Sequence, residues 1–482
     1  MLSRDQVLAL VRERVHHPAT VQEIQRLLRV PRQDRATLRR HLKALVEHGE
    51  IIKIRGNRYG LADRMDLVVG RLETHPRGFG FVVPDGDHDQ PHVYVAALNL
   101  KEALHGDRVV ARIERHHGPD RVEGRIIRVL ERANTSLVGR FEQDDSGLAF
   151  VVPFDRRVLS DVQVGPADTR DASVGDMVVV ELTRWPTPAR PALGRVVEVL
   201  GPLDAQGVDT QIIIRKHRIP DAHGQQAVEE ARRLGGSVRD RDLRGRKDFR
   251  NVTTVTIDGE HARDFDDAIT IERRPGGHYW LGVHIADVSH YVEEGSALDI
   301  EAAERGTSVY FPERAVHMFP SELATGLCSL NPHVDRLVQS CLMEVTRAGE
   351  VVHAEFHDGV INSDARMTYT AVNAILTDRD PAVIDRYREL VPMFELMREL
   401  FEILNGRRRR RGSIDFDLPE AEVLLDASGL IENIIATERN VAHRLIEEFM
   451  LLANETVARF IFEGSSPGLY RVHEEPDLLK VE

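Results

Sequence analysis

The sequence predicts a multidomain chain: a small N-terminal helical domain with a β wing, two short-stranded β-barrels in tandem, and a larger C-terminal α+β region. Three observations carry that prediction. Residues 1–64 show three helix-like apolar patterns followed by a two-part strand signal. Residues 67–202 show two similar successions of short, glycine-punctuated strands. Residues 250–482 mix strand-like runs with long amphipathic helices, and 482 residues suffice for several cores.

In the first domain, residues 4–15 place Val7, Leu8, Leu10 and Val11 at helical spacing. Thr20 is positioned to cap a helix over 21–28, and Asp34 a third over 35–48. Gly49 then stops the helix, and 51–54 with 58–61 read as the wing of a winged helix-turn-helix. Arg35, Arg39, Arg40 and Lys43 lie on the third helix, as a phosphate-contacting face or as a solvated or protein-docking one. The chain carries a net charge of −14, yet residues 1–62 hold 13 Lys/Arg against 6 Asp/Glu. A basic front end on an acidic chain is an electrostatic footprint for nucleic acid.

Residues 67–131 read as the first barrel, of OB type, and 132–202 as the second. Phe79 and Phe81 share one face by two-residue alternation, which a base-stacking platform requires, and the segment resembles a cold-shock domain. The alternative is that one or both phenylalanines are core. In the second copy Leu137-Val138-Gly139-Arg140 parallels Val68-Val69-Gly70-Arg71, with one aromatic where the first copy has two. Residues 203–249 read as a connector, helical over 227–234. Further helices are expected at 296–305, 370–377, 385–404 and 440–462, and the five arginines 407–411 fall at a helix end.

The densest chemistry lies at Asp258, Asp264, Asp266 and Asp267, between two strand-like runs. Asp-rich loops are usually solvated turns. Carboxylates packed this closely repel one another unless a cation neutralises them, and hard oxygen ligands suit Mg²⁺. The apolar flanks argue that this loop is held by a core.

Two cysteines, Cys328 and Cys341, lie in apolar surroundings without metal-ligand spacing, which favours a reducing cytoplasm. The N-terminus shows no secretory pattern, and no run approaches the length of a membrane span.

The ordered segments TIDGEHARDFDDA, GVHIADVSHYVEEGSALDIEAAERGTSVYFPERAVHMFP, ELATGLCSLNPHVDRL, ERNVAHRLIEEFMLLAN and LYRVHEEP together resemble the ribonuclease R branch of the ribonuclease II (RNB) family. The resemblance covers essentially the whole chain. It implies an RNB catalytic domain at 250–482, of α+β fold around a narrow RNA channel. It implies Mg²⁺ held by Asp258, Asp264, Asp266 and Asp267, with Asp266 and Asp264 catalytic. The implied reaction is processive 3′→5′ hydrolysis of RNA to nucleoside 5′-monophosphates. Tyr310 and Phe416 match aromatics that stack on RNA bases, while Tyr369 and Glu447 match positions that contact the sugar-phosphate chain. The implied partners are single-stranded RNA 3′ ends, structured RNA, and proteins of RNA decay or the ribosome.

Two departures stand out. His261 replaces a usually acidic residue outside the four aspartates. Family members also continue past LYRVHEEP into an arginine-rich segment and a C-terminal OB-fold domain, so the RNB domain is expected to be incomplete at its C-terminal side. Two readings follow: an exoribonuclease represented by an incomplete chain, or an RNA-binding protein whose catalysis is impaired by truncation. A transcription regulator, inferred from the front end alone, leaves most of the chain unexplained.

Overall fold

The computed structural model describes residues 3–472 except 16, 48, 55, 62–65, 87–89, 119–120, 188, 415–419, 427–428 and 438. The chain divides into two compact units, Met1–Ile219 and Pro220–Glu482.

The first unit opens with helices Arg4–Arg14, Val21–Leu27 and Arg35–Glu47. Ser3 and Thr20 cap the first two, each in a reciprocal box with the side chain three residues on, Gln6 and Glu23. Val7, Val11, Ile24, Leu38, Leu42 and Leu45 form the buried core between them. Asp34 is not the cap that the sequence led us to expect. It ends a 3₁₀ turn, Arg32–Asp34, that runs directly into the third helix. Pro31 starts that turn with its fixed φ, and its carbonyl accepts from the Asp34 N–H at 3.0 Å. The strands Ile52–Ile54 and Arg58–Gly60 pair as expected, and Ala19–Thr20 adds a third strand beside the latter.

Two closed five-stranded barrels follow. The first uses Leu67–Thr74, Gly80–Pro84, Val93–Val95, Arg108–His116 and Val122–Glu131; the second uses Ser136–Gln143, Ala149–Pro153, Val162–Val164, Asp176–Arg184 and Ala192–Pro202. Both share one topology, in which the third strand runs parallel to the fifth. The Val-Gly-Arg repeat has a steric cause. A Cβ at Gly70 would lie 2.0 Å from the Val83 carbonyl oxygen, and one at Gly139 would lie 2.4 Å from that of Val152. The expected connector also contains an unforeseen helix, Val208–His217, whose Val208 and Ile212 pack on Val138, Met177 and Val179 of the second barrel. Its β-branched run is a weak helix former, so burial against the barrel decides its structure.

The second unit is built on a seven-stranded sheet: β1 (Lys247–Asp248), β2 (Val255–Asp258), β3 (Asp267–Arg273), β4 (Tyr279–Ala286), β5 (Asp335–Val345), β6 (Val351–Asn362) and β7 (Ala365–Thr368). The spatial order is β1-β6-β5-β4-β3-β2-β7. Helices Gln225–Leu234 and Ala297–Arg305 contribute to one apolar cluster on the sheet; Tyr369–Asn373, Val391–Arg410 and Val441–Glu463 contribute to another. Ser296 and Asn440 cap their helices. The single helix expected over 385–404 is two, Pro381–Arg386 and Val391–Arg410. Pro392 causes the break: it lacks an N–H to donate into a preceding turn, so the second helix restarts with it in the first turn. No helix among the described residues is long and apolar enough to cross a membrane.

Candidate functional site

Neighbouring strands of the sheet bring the acidic cluster together. β2 ends at Asp258, β3 begins at Asp267, and the two pair through Val255 and Ile269. The intervening loop is fixed by its own sequence. Phe265 is buried in the apolar cluster shared with Leu327 and Leu330, while Asp264 beside it is half-buried and Asp266 exposed. The Phe265 N–H donates to Ser329 Oγ at 3.0 Å, and its carbonyl accepts from Leu330 N–H at 2.9 Å. Ser329 Oγ in turn donates to the Arg263 carbonyl at 2.9 Å, and Arg336 Nε donates to the Ser329 carbonyl at 2.8 Å. Arg366 Nη2 holds the other end, donating to the carbonyls of Gly259 at 2.6 Å and Glu260 at 2.7 Å. Its guanidinium lies 5.6 Å from the Phe265 ring centroid.

The electrostatics follow from this crowding. Burial, then repulsion from Asp267 and Asp266, push the Asp258 carboxyl up to about 7, with Arg366 opposing. Burial and repulsion from Asp266 push Asp267 up to about 6. Asp266 is also raised, by partial desolvation among its neighbours and by Asp264, although its residue surface is exposed. Asp258 Oδ2 is buried without a hydrogen-bond partner. Such carboxylates fit a divalent cation. Among the described residues, no three His, Cys, Asp or Glu side chains form a ready-made cage.

Tyr310 joins this group. It stands 62% exposed in the ribbon Val309–Tyr310/Ala315–Val316, and its hydroxyl donates to Asp264 Oδ2. Burial and that carboxylate push its phenol up to about 12. Tyr369, at a helix start, stacks on His443 with ring centroids 3.9 Å apart. Its phenol is pushed up to about 12 by burial and by the charges of Asp258 and Asp267. Glu447 contacts Arg439, and Arg408 at 3.6 Å. Phe416 lies outside the described residues. His261 is exposed.

In the other unit, Phe79 and Phe81 touch edge to face at 5.8 Å. Phe79 sits just ahead of strand Gly80–Pro84 rather than inside it. Sequence reading missed two members of this group. Tyr94 lies 5.6 Å from Phe79 and 5.7 Å from Phe81, and His75 stacks on Phe79 at 4.6 Å. Tyr94 is the cross-strand partner of Phe81, so aligning the two short strands exposes the signal. Ser329 and Arg366 were also missed; no local pattern marks a residue that reaches the loop from 64 or 107 positions away.

Family comparisons fit these features. The RNB domain matches residues 246–482, a ribonuclease B OB domain matches 70–129, and a cold shock domain matches 150–223. The cold shock match thus falls on the second barrel and its added helix. Ribonuclease R of Acidithiobacillus ferrooxidans is 38% identical over 419 residues, 86% of this chain and 94% of the relative. The chain belongs to the ribonuclease R family. Escherichia coli ribonuclease R is 41% identical over 439 residues, 91% of this chain. The chain spans about half the length of that relative, 54%. Mycoplasma genitalium RNase R in complex with ribose-methylated single-stranded RNA superposes with a TM-score of 0.78 at 28% identity, covering 86% of this chain and 65% of that one. The family resemblance and the two barrels read from the sequence are therefore borne out.

Proposed function

We propose that this chain hydrolyses RNA processively from its 3′ end, releasing nucleoside 5′-monophosphates, with Mg²⁺ held by Asp258, Asp264, Asp266 and Asp267. The carrying observation is the convergence of raised, mutually repelling carboxylates at the β2 and β3 ends, one with a buried oxygen lacking a partner. Mg²⁺ bound there would supply positive charge to the phosphodiester oxygens and acidify a neighbouring water. Asp266, which is exposed, orients the attacking water, with Asp264 beside it. The water oxygen bonds to phosphorus as the P–O3′ bond breaks. The terminal nucleotide leaves with its 5′-phosphate, and the shortened RNA keeps a 3′-hydroxyl.

Tyr310 receives the terminal base, and Phe416 is the second clamping aromatic. Stacking is worth about 1–3 kcal/mol per base and tolerates any sequence. Tyr369, close enough to feel the charges of Asp258 and Asp267, and Glu447 contact the sugar-phosphate chain and select RNA by its 2′-hydroxyl. Phe79 and Phe81 hold upstream nucleotides. In this reading residues 1–64 are a winged helix, 67–131 and 132–202 the RNA-holding barrels, 203–249 a connector and 250–482 the catalytic region. The substrates are single-stranded 3′ ends and structured RNA; a solved relative, Mycoplasma genitalium RNase R, is described in complex with double-stranded RNA. The setting is the cytoplasm, beside proteins of RNA decay or the ribosome.

The test incubates the chain with 3′-labelled and 5′-labelled single-stranded RNA, with and without Mg²⁺. The 3′ label should appear at once as mononucleotide, the 5′-labelled strand should pass to a short end product with few intermediates, and both changes should need Mg²⁺. Asp266→Asn should stop release while RNA binding persists. Internal cuts, or unchanged turnover in Asp266→Asn, would remove the assignment.

A further inference from the structure

We propose that His317 is a positioning residue for Tyr310, setting the ring that receives the terminal base; this rests on the function proposed above. Tyr310 needs such a neighbour. Its two-residue strand leaves it largely exposed, and its hydroxyl is anchored to Asp264 Oδ2. In the proposed function that carboxylate belongs to Mg²⁺, so cation binding competes with the phenol for the same oxygen. Once the anchor is lost, an exposed tyrosine ring regains rotamer freedom, and ordering it again opposes stacking by about 0.5–1.5 kcal/mol.

His317 supplies a contact that does not depend on Asp264. Its ring meets that of Tyr310 edge to face, with centroids 6.4 Å apart and planes at 87°. That is a favoured geometry for aromatic pairs. The His317 Nδ1 is buried, makes no hydrogen bond, and lies 3.6 Å from Asp264 Oδ2. The imidazole therefore fills the corner between the tyrosine and the carboxylate.

The backbone under His317 is firmly held. Arg305 Nη1 donates to the His317 carbonyl at 3.4 Å, and Arg305 is itself paired with Glu301 at 2.8 Å. The next residue, Met318, donates its N–H to Ser308 Oγ at 2.9 Å, across the ribbon that carries Tyr310. Val309 pairs with Val316 and Tyr310 with Ala315, so the two rings start from one hydrogen-bonded frame. A fixed ring set against an exposed one is the arrangement that pre-orders the exposed ring.

The experiment uses the full chain in an Asp266→Asn background, so that RNA stays intact, with Mg²⁺ present. The probe is single-stranded RNA carrying 2-aminopurine either as its 3′-terminal base or well upstream; stacking quenches its fluorescence. His317→Ala should weaken terminal quenching roughly 2- to 10-fold in apparent affinity, by the ordering term above. The upstream probe and the melting temperature should stay unchanged, and His317→Phe should restore the terminal signal. Unchanged terminal quenching in His317→Ala overturns the proposal. So does equal loss at both probes, or a phenylalanine that restores nothing. Tyr310→Ala separates the two layers: if it leaves terminal quenching intact, the base does not sit on Tyr310 and the functional reading fails at that residue.

Discussion

The hydroxyl of Ser329 accepts the backbone N–H of Phe265 at 3.0 Å, in the middle of the acidic loop. Ser329 is fully buried and also donates to the Arg263 carbonyl at 2.9 Å, so one side chain satisfies two backbone groups of a segment with no strand partner of its own. Ser329→Ala leaves both groups without their partner. A buried unsatisfied group costs about 1–3 kcal/mol. The variant should melt several degrees lower, and Mg²⁺ should stabilise it less than the parent because the aspartates lose their register. Thermal melting with and without Mg²⁺ checks both, and an unchanged melting temperature would show that the loop is held by something else.

The aromatic group of the first barrel gives a binding prediction. Phe81 and Tyr94 are each 37% exposed, opposite one another on paired strands, and both touch Phe79. A tyrosine in that position offers a base the same π face as a phenylalanine. Tyr94→Ala should therefore weaken binding of single-stranded RNA about as much as Phe81→Ala, by about 1–3 kcal/mol. Fluorescence anisotropy of the full chain with labelled RNA measures it. A Tyr94→Ala chain that binds like the parent would leave Tyr94 a packing residue.

How much could be read in advance depended on distance along the chain. The Thr20 cap was legible because an N-cap is a local device, complete within four residues, and the helices starting after Ser296 and Asn440 were legible from their apolar spacing. The two barrels were legible because Gly70 and Gly139 repeat one steric need in one strand pattern. Asp34 failed as a cap because Pro31 set a 3₁₀ turn first, a choice between two locally sound options. The helix expected over 385–404 is broken because Pro392 takes the first turn of a new helix, a position its missing N–H favours over a helix interior. The four aspartates were conspicuous in sequence, yet what holds them was not. Ser329, Arg366 and His317 come from three other segments, Arg366 from strand β7 and the other two from outside the sheet, and only the tertiary fold brings them to the loop.

Asp242 gives a pH prediction away from the acidic cluster. Burial alone would raise its carboxyl, but Arg239, through side chain and backbone, and His290 outweigh burial and hold it at about 2. The contacts are Arg239 Nε at 2.9 Å and His290 Nε2 at 3.3 Å. A carboxyl depressed in the folded chain stabilises it above the unfolded value near 3.8, and that stabilisation disappears as pH falls towards about 2. The amount is on the order of 2 kcal/mol. Asp242→Asn should be less stable than the parent at neutral pH and should flatten the loss of stability between about pH 4 and 2. Urea unfolding across that range checks it; parallel acid limbs for the two proteins would rule the pair out as a source of stability.

The five arginines at 407–411 divide by what they touch. Arg407 donates to the Gly349 carbonyl, Arg411 pairs with Glu455 at 3.2 Å, and Arg408 Nε lies 2.7 Å from Glu448 Oε1. Glu448 is buried, with only 6% of its side chain exposed, so its charge depends on nearby cations. Removing one partner of a buried pair costs more than the pair contributes, because the remaining charge stays desolvated. Arg408→Met should destabilise the chain by about 2–3 kcal/mol, less than for a fully enclosed pair because Arg408 keeps some contact with water. Arg409→Ala and Arg410→Ala, at exposed positions, should change stability by no more than about 0.5 kcal/mol. Denaturant unfolding of the three variants separates a helix end bound into the fold from a uniform basic patch. Equal, small effects at all three positions would leave the run as solvated charge and remove Arg408 from the packing of the two long helices.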